Sequence, residues 1–197
     1  MNRNSDTEDA RAYLVRCALE LLEECGHESL SVRRVAERAG LSSGAPYYHF
    51  PDRRGLLLNL ALEGFRGLDI AARSVLEREG IEPARALHEL ASSFLDFSAA
   101  HPQLIDLMYE SELTRPIDAA LVSSYRQAFD MVVNAIKPAL AGQLPAKVMI
   151  RAVAFWTALF GLSRVLRQQL LDPFESALGT NWREAILDEI VTAAVAP

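Results

Sequence analysis

Residues 31–57 read SVRRVAERAGLSSGAPYYHFPDRRGLL, and this stretch restricts the fold more than any other. Ser31 sits where a side-chain oxygen caps a helix start. Val32, Val35, Ala36 and Ala39 then recur at three- and four-residue spacing. Gly40 supplies the left-handed turn that stops this helix. Leu41 follows as a core residue and Ser42 as a second cap, so the spacing predicts another short helix over 43–50. A long helix then starts at Arg53. Two short helices joined by a glycine turn form the layout that enters a DNA major groove.

On a helical wheel of about 100° per residue, Pro46 and Phe50 fall together toward a core. Gly44, Ala45, Tyr48 and His49 fall opposite, with Ser43 and Tyr47 on the flank. Small residues let a helix approach a groove floor. Tyr and His offer hydrogen bonds to phosphates or base edges, and Ala can touch a thymine methyl. The helix start adds backbone N–H groups and a positive dipole end for phosphate. Arg53 and Arg54 stand at the next helix start, where a positive charge opposes the dipole and a phosphate would offset it. A plainer reading remains open on these residues: a helical hairpin with Tyr47, Tyr48 and His49 merely packed.

Charge must be segregated if this segment binds a polyanion, because the whole chain carries a formal −6 and a pI near 5.3. Residues 31–54 hold five arginines against Glu37 and Asp52, a local +3. Such a patch favours one docking orientation on an otherwise repelled molecule. The 197 residues, half of them hydrophobic, allow one large or two small domains without staples. Cys17 and Cys25, eight apart in one predicted helix, lie roughly 12 Å apart and too far for a mutual disulfide. They read as small buried hydrophobes of a reducing cytoplasm, or as a thiol redox sensor. Residues 1–10 are polar and acidic and predict no signal peptide. The apolar run at 148–165 contains Arg151 and Arg164 and reads as a core helix, so no membrane partner is expected.

Helical periodicity dominates the remainder. The expected helices cover 7–25, 32–39, 43–50, 53–79, 83–99, 102–113, 116–137, 145–171 and 181–195, an all-α chain of about nine helices. Four start at Pro, which has no donor to lose in a first turn. Asn181 with Glu184 reads as a capping pair, and Pro138 as a stop. Residues 1–52 form the expected three-helix helix-turn-helix domain, and 53–197 a second helical domain.

SVRRVAERAGLS at 31–42 and GAPYYHFPDRRGL at 44–56 resemble the N-terminal domain of the TetR family of bacterial transcriptional repressors. The shared pattern is T-V-R-x-I-A-x-x-A-G-V-S followed by G-x-L-Y-x-H/Y-F-x-x-K-x-x-L, and the resemblance covers roughly 7–60. It implies DNA contacts from Arg33, Ser42, Ser43, Gly44, Ala45, Tyr47, Tyr48 and His49. Arg53 stands where a phosphate-contacting Lys is usual. Pro46 departs from a frequent aliphatic, and Ala45 from an often polar position. Few bidentate base contacts and some reliance on DNA shape therefore follow.

HPQLIDLMYESEL at 101–113 and AFWTALFGLSRV at 154–165 resemble a C-terminal subtype of the same family named for a Trp and a His-Gly pair. Trp156 and Gly161 match, while Phe160 replaces the His. The resemblance implies a helical cavity for a small, largely apolar effector. Phe65, Leu68, Phe94, Phe97, Met108, Tyr109, Tyr125, Phe129, Trp156 and Phe160 are candidate lining residues, with His88, His101 and Tyr109 as polar anchors. Plain core is the competing reading of each. Val148, Ala152, Phe155, Leu159 and Leu162 with Ile186, Ile190 and Val191 form the expected homodimer interface. No metal site is expected, because no histidine has a ligand partner at metal spacing, and no cofactor is implied. The implied function is a cytoplasmic, ligand-responsive repressor of a palindromic operator. Two other classes remain: an adaptor using the Tyr47–His49 surface, and a helical enzyme, for which no nucleophile–base pair or phosphate loop stands out.

Overall fold

The computed structural model describes the backbone of residues 3–113 and 117–196, with side chains from residue 10 onward. Nine α-helices occur among the described residues. They are α1 (Arg3–Cys25), α2 (Val32–Ala39), α3 (Arg53–Leu76), α4 (Pro83–Ala100), α5 (Pro102–Glu110), α6 (Ala119–Ile136), α7 (Pro145–Arg167), α8 (Glu175–Leu178) and α9 (Trp182–Val195). The chain is all-α, as its periodicity requires. Pro83, Pro102 and Pro145 each open a helix. The expected start at Pro116 lies outside the described residues. α6 stops two residues before Pro138, whose ring disfavours helical backbone ahead of it.

The helix expected over 43–50 is instead a short 3-10 turn, Ala45–Tyr48. Pro46 explains the change. An α-helix capped at Ser42 would begin with a bond from the residue 46 amide to the Ser42 carbonyl, and proline has no N–H. The Ser42 carbonyl accepts from Ala45 N at 3.1 Å instead, a tighter three-residue bond. Gly44 is therefore the cap position, no side chain bonds there, and the expected cap at Ser42 does not form. Leu41, expected in the core, is 42% exposed. The expected Asn181–Glu184 capping pair is also absent: Asn181 is left-handed, at φ 66°, with no side-chain cap bond.

Two compact units make up the chain. One comprises Met1–Arg66 with His101–Ser124, the other Gly67–Ala100 with Tyr125–Pro197. α3 and α6 each contribute their N-terminal part to the first and the remainder to the second.

In the first unit, Leu14, Ala18, Leu21 and Leu22 of α1 meet Val32, Val35 and Ala36 of α2 in a closed core with Phe50, Leu56, Leu57 and Leu60. Ser31 caps α2 as expected, accepting from Arg34 N at 3.3 Å. Gly40 closes it in the left-handed conformation, at φ 68°. Glu23 on α1 accepts from the backbone amides of Gln103 and Leu104, both at 3.1 Å. A carboxylate from another helix thus caps α5 and satisfies its orphan donors. Gly64 seats α3 against α5: a Cβ there would lie 2.4 Å from the Met108 sulfur and 3.2 Å from Leu104 Cγ.

In the second unit, α7 packs against α4 and α9. Val148, Ala152, Phe155, Leu159 and Leu162 face inward with Leu87, Ala91, Leu187 and Val191. Burying side chains of this size stabilises by roughly 1.5–3 kcal/mol each.

Gly64→Ala tests the close approach of α3 and α5. The substitution gains about 1 kcal/mol of helix propensity but overpacks a closed contact, at a cost of about 1–3 kcal/mol. We expect a net loss near 1 kcal/mol in urea unfolding. A stabilised variant would mean that Met108 and Leu104 move aside freely.

Candidate nucleic-acid interface and effector cavity

The turn after Gly40 presents the outer face that sequence alone assigns to a ligand. Ser42, Ser43, Gly44, Ala45, Tyr47 and Tyr48 are exposed, and His49 is half-buried. Tyr48 is 82% exposed, which no packing role explains. Its ring meets His49 edge-on with centroids 5.2 Å apart, an arrangement that favours aromatic pairs. Pro46 and Phe50 point the other way and are buried. The turn therefore separates inward from outward residues as a helix would, over a shorter span. One 3-10 turn has little aligned dipole, so the expected helix-dipole site for phosphate falls away.

Charge is arranged differently from the local sum. Each arginine of 31–54 has a partner in the same unit. Arg33 pairs with Glu37 at 2.9 Å, and Arg34 donates to the Ser29 carbonyl at 2.9 Å. Arg38 pairs with Glu24 at 2.5 Å, and its guanidinium holds that carboxyl below the usual range. Arg54 bonds Asp118 at 2.6 Å. The Ala120 amide, then Arg54, keeps Asp118 below the ordinary carboxylate value. Exposed pairs contribute only about 0–1 kcal/mol, so Arg33 and Arg34 can exchange partners at little cost.

Arg53 is different. It donates to the carbonyls of Leu30 at 3.0 Å and His27 at 2.7 Å and pairs with Glu112. Asp52 caps α3, accepting from Gly55 N at 2.7 Å, so its dipole end is already complemented. The placement that sequence reading explained by a phosphate is satisfied inside the protein.

A small apolar cavity of ≈ 50 Å³, partly open to solvent, lies within the second unit. Leu68, Ala71 and Ala72 of α3, Leu90, Ser93 and Phe94 of α4, Ala128, Met131 and Val132 of α6, and Phe155, Trp156 and Leu159 of α7 line it. Leu68, Phe94 and Trp156 were expected there. Phe160 stacks on Trp156, with centroids 6.5 Å apart. Phe97 lies against Gly67. Tyr125 and Phe129 are half-buried on α6, and burial pushes the Tyr125 phenol up to about 12. Phe65, Met108 and Tyr109 belong to the other unit, where Phe65 meets Tyr109 edge-on at 5.6 Å.

Residues assigned to a dimer face prove to be interior. Val148, Ala152, Phe155, Leu159 and Leu162 are all buried, as is Val191. Ile186 and Ile190 are half-buried.

 The physical reason is that α7 carries apolar residues on every side between its few arginines, so periodicity alone does not say which side turns inward. Its outward side carries Ile150, 67% exposed, and Val153, 50% exposed, with Ala154, Thr157, Ala158 and Gly161. By length and composition α7 could cross a membrane, and a third of its most apolar window is buried in the fold. Cys17 and Cys25 are both free thiols, Cys17 buried and Cys25 half-buried.

Arg53→Ala separates a structural from a phosphate role. Losing charge-assisted bonds to part-buried carbonyls costs about 1.5–3 kcal/mol, so the variant should unfold at clearly lower urea. Tyr48→Ala should stay within about 0.5 kcal/mol of the parent. Equal stabilities for the two variants would return Arg53 to the surface set.

Comparison with known proteins gives the family and the fold. Residues 14–60 match the family model described as bacterial regulatory proteins, tetR family. Residues 87–189, just over half of the chain, match the tetracyclin repressor-like C-terminal domain. The tetracycline repressor protein class C of Escherichia coli is 49% identical over 51 residues, 26% of this chain and 23% of that protein. The chain thus spans about a quarter of that curated relative. A protein of unknown function from Rhodococcus sp. RHA1 shares the fold with 29% identity and a TM-score of 0.75, over 94% of this chain and 91% of that one. A TetR from Acinetobacter baumannii AYE, solved in complex with minocycline, shares it with 24% identity and a TM-score of 0.61, over 93% and 92%.

Proposed function

The chain belongs to the TetR family of bacterial transcriptional regulators, and we propose that it is a homodimeric, cytoplasmic repressor released from a palindromic operator by a small apolar effector. The observation that carries this reading is the reach of α3. That one helix begins at Arg53, directly after the exposed turn, and carries Leu68, Ala71 and Ala72 to the cavity.

Ser42, Ser43, Gly44, Ala45, Tyr47, Tyr48 and His49 are the proposed groove-facing residues. Tyr47 and Tyr48 hydroxyls and the serines bond phosphates or base edges, while Gly44 and Ala45 allow close approach. Arg33 and Arg34 exchange their surface partners for phosphate. Arg53 acts behind them by fixing the loop after α1. With one reading element per chain, a two-fold dimer presents two of them to a palindrome.

The effector works through the size of its cavity. At ≈ 50 Å³ the space is far below the roughly 300–1,000 Å³ of ordinary ligand pockets. An effector therefore binds only a state in which α3, α4, α6 and α7 have moved apart. That unequal affinity is what shifts a population. The displaced α3 carries the change to the residues that precede Arg53.

For the dimer, the exposed side of α7 takes the place of the buried residues named from sequence. Ile150, Val153 and Ala154 supply apolar area, and Ala158 and Gly161 let a second helix approach closely. A four-helix bundle of α7 and α9 from two copies covers it.

A gel-shift series on the gene's own upstream DNA tests the reading. Binding should fall steeply with salt as counterion release requires. Tyr48→Ala should weaken it at least about tenfold, the cost of a lost bond to a charged group. Absent or salt-insensitive binding would sink the repressor and favour an adaptor surface at Tyr47–His49. In light scattering, Ala158→Glu should convert dimer to folded monomer. A dimer that persists would place the interface elsewhere.

A further inference from the structure

His88 stands on α4, and Glu184 and Asp188 lie one turn apart on α9, nearly a hundred residues later in the chain. Folding brings all three to one point. Glu184 Oε1 lies 3.0 Å from His88 Nε2, and Asp188 Oδ1 lies 3.4 Å from the same atom. One ligand atom from each residue falls within 4.8 Å of the other two.

An ion pair explains this arrangement poorly. Nε2 carries at most one hydrogen, which can serve one carboxylate well but not two. Two carboxylates four apart on a helix also repel. The neighbouring cations are engaged elsewhere, since Arg78 and Arg85 both pair with Glu89.

A metal ion serves both oxygens and the nitrogen at once. Ligands about 2.0–2.1 Å from a tetrahedral zinc stand about 3.3 Å from one another, and the two distances from Nε2 bracket that value. The other ring nitrogen, Nδ1, lies 3.5 Å from Ser92 Oγ, at the outer limit of a hydrogen bond, so Nε2 is the nitrogen turned to the carboxylates. An open groove of ≈ 640 Å³ lined by Ala84, Arg85, His88, Glu89 and Asp188 gives a hydrated ion access and leaves room for a water as fourth ligand.

We propose that His88, Glu184 and Asp188 form a binding site for a divalent transition metal of the zinc type. Imidazole with two carboxylates and no thiolate suits such an ion. Bound there, it clamps α9 to α4, the helix that also carries Leu90, Ser93 and Phe94 to the cavity.

The test uses the full chain, freed of any affinity tag and stripped with a chelator. Zinc is titrated in competition with a chromogenic chelator, and melting is followed with and without zinc. We expect one equivalent per chain and a raised melting temperature, because an ion that binds only the folded state stabilises it. Cobalt in place of zinc should give visible d–d bands without thiolate charge transfer. His88→Gln and Asp188→Asn should each weaken binding by more than about a hundredfold, beyond the roughly 10–100-fold that loss of a partner behind a ligand costs, with circular dichroism unchanged. No saturable uptake, or uptake unaltered in both variants, overturns the proposal. Should a variant misfold, the cobalt spectrum of the parent decides: thiolate charge transfer, or no d–d bands, overturns it equally.

Discussion

The contact on which the first unit depends is the guanidinium of Arg53 against the loop that leaves α1. A helix end leaves carbonyls without partners, and a sharp exit to the next helix leaves more. Arg53 supplies donors to His27 and Leu30 and takes a carboxylate from Glu112. The start of α3 is thereby tied to the end of α1 and to the segment after α5. The exposed turn hangs between two fixed points, α2 before it and Arg53 behind it. Removing Arg53 takes the side-chain donor from the Leu30 carbonyl and leaves His27 with only the Leu30 amide at 3.3 Å, which is the costly side of hydrogen-bond energetics.

That contact changes how the local positive charge is to be understood. A sum over residues 31–54 counts arginines but not what they touch. Glu20, Glu24, Glu112 and Asp118 come from outside the segment and meet Arg38, Arg53 and Arg54. The patch is closer to neutral than its sequence. The turn itself is uncharged outward, with two tyrosines, two serines and a small-residue stretch, and the exposed Arg33 and Arg34 of α2 stand beside it. With such a turn, phosphate contacts from the arginines beside it supply affinity while fit and neutral hydrogen bonds supply discrimination, in line with the departures at Ala45 and Pro46 from the family pattern.

Legibility in the sequence followed the range of the physics involved. Caps, glycine stops and proline starts act within a few residues, so Ser31, Gly40, Pro83, Pro102 and Pro145 marked real boundaries. Pro46 acts just as locally, and its missing donor was visible. Its consequence, a 3-10 turn in place of a helix, depends on a helix too short to recover from losing its first bond. The cavity was legible only in part. Phe94 and Trp156 line it, but a Phe or Trp on an apolar face can as well belong to a closed core, as Phe65 does. The alanines that line it carry no signal in sequence. His88, Glu184 and Asp188 were invisible because metal spacing is read along the chain, and their proximity is a product of α4 packing on α9.

α7 shows most clearly why sequence could not separate cavity, core and surface. Val148, Ala152 and Leu162 close the core, Phe155, Trp156 and Leu159 reach the cavity, and Ile150, Val153 and Ala158 turn outward. A helix answering to one neighbour needs one apolar stripe. A helix answering to three carries apolar residues all round and few charges, and its composition then resembles that of a membrane span. The outward stripe is the part that demands an explanation, since a contiguous exposed apolar surface favours association. The same helix therefore couples two properties: whatever moves Phe155 and Trp156 to admit a ligand also moves the face that a second copy would cover. A rigid helix offers no way to change one without the other.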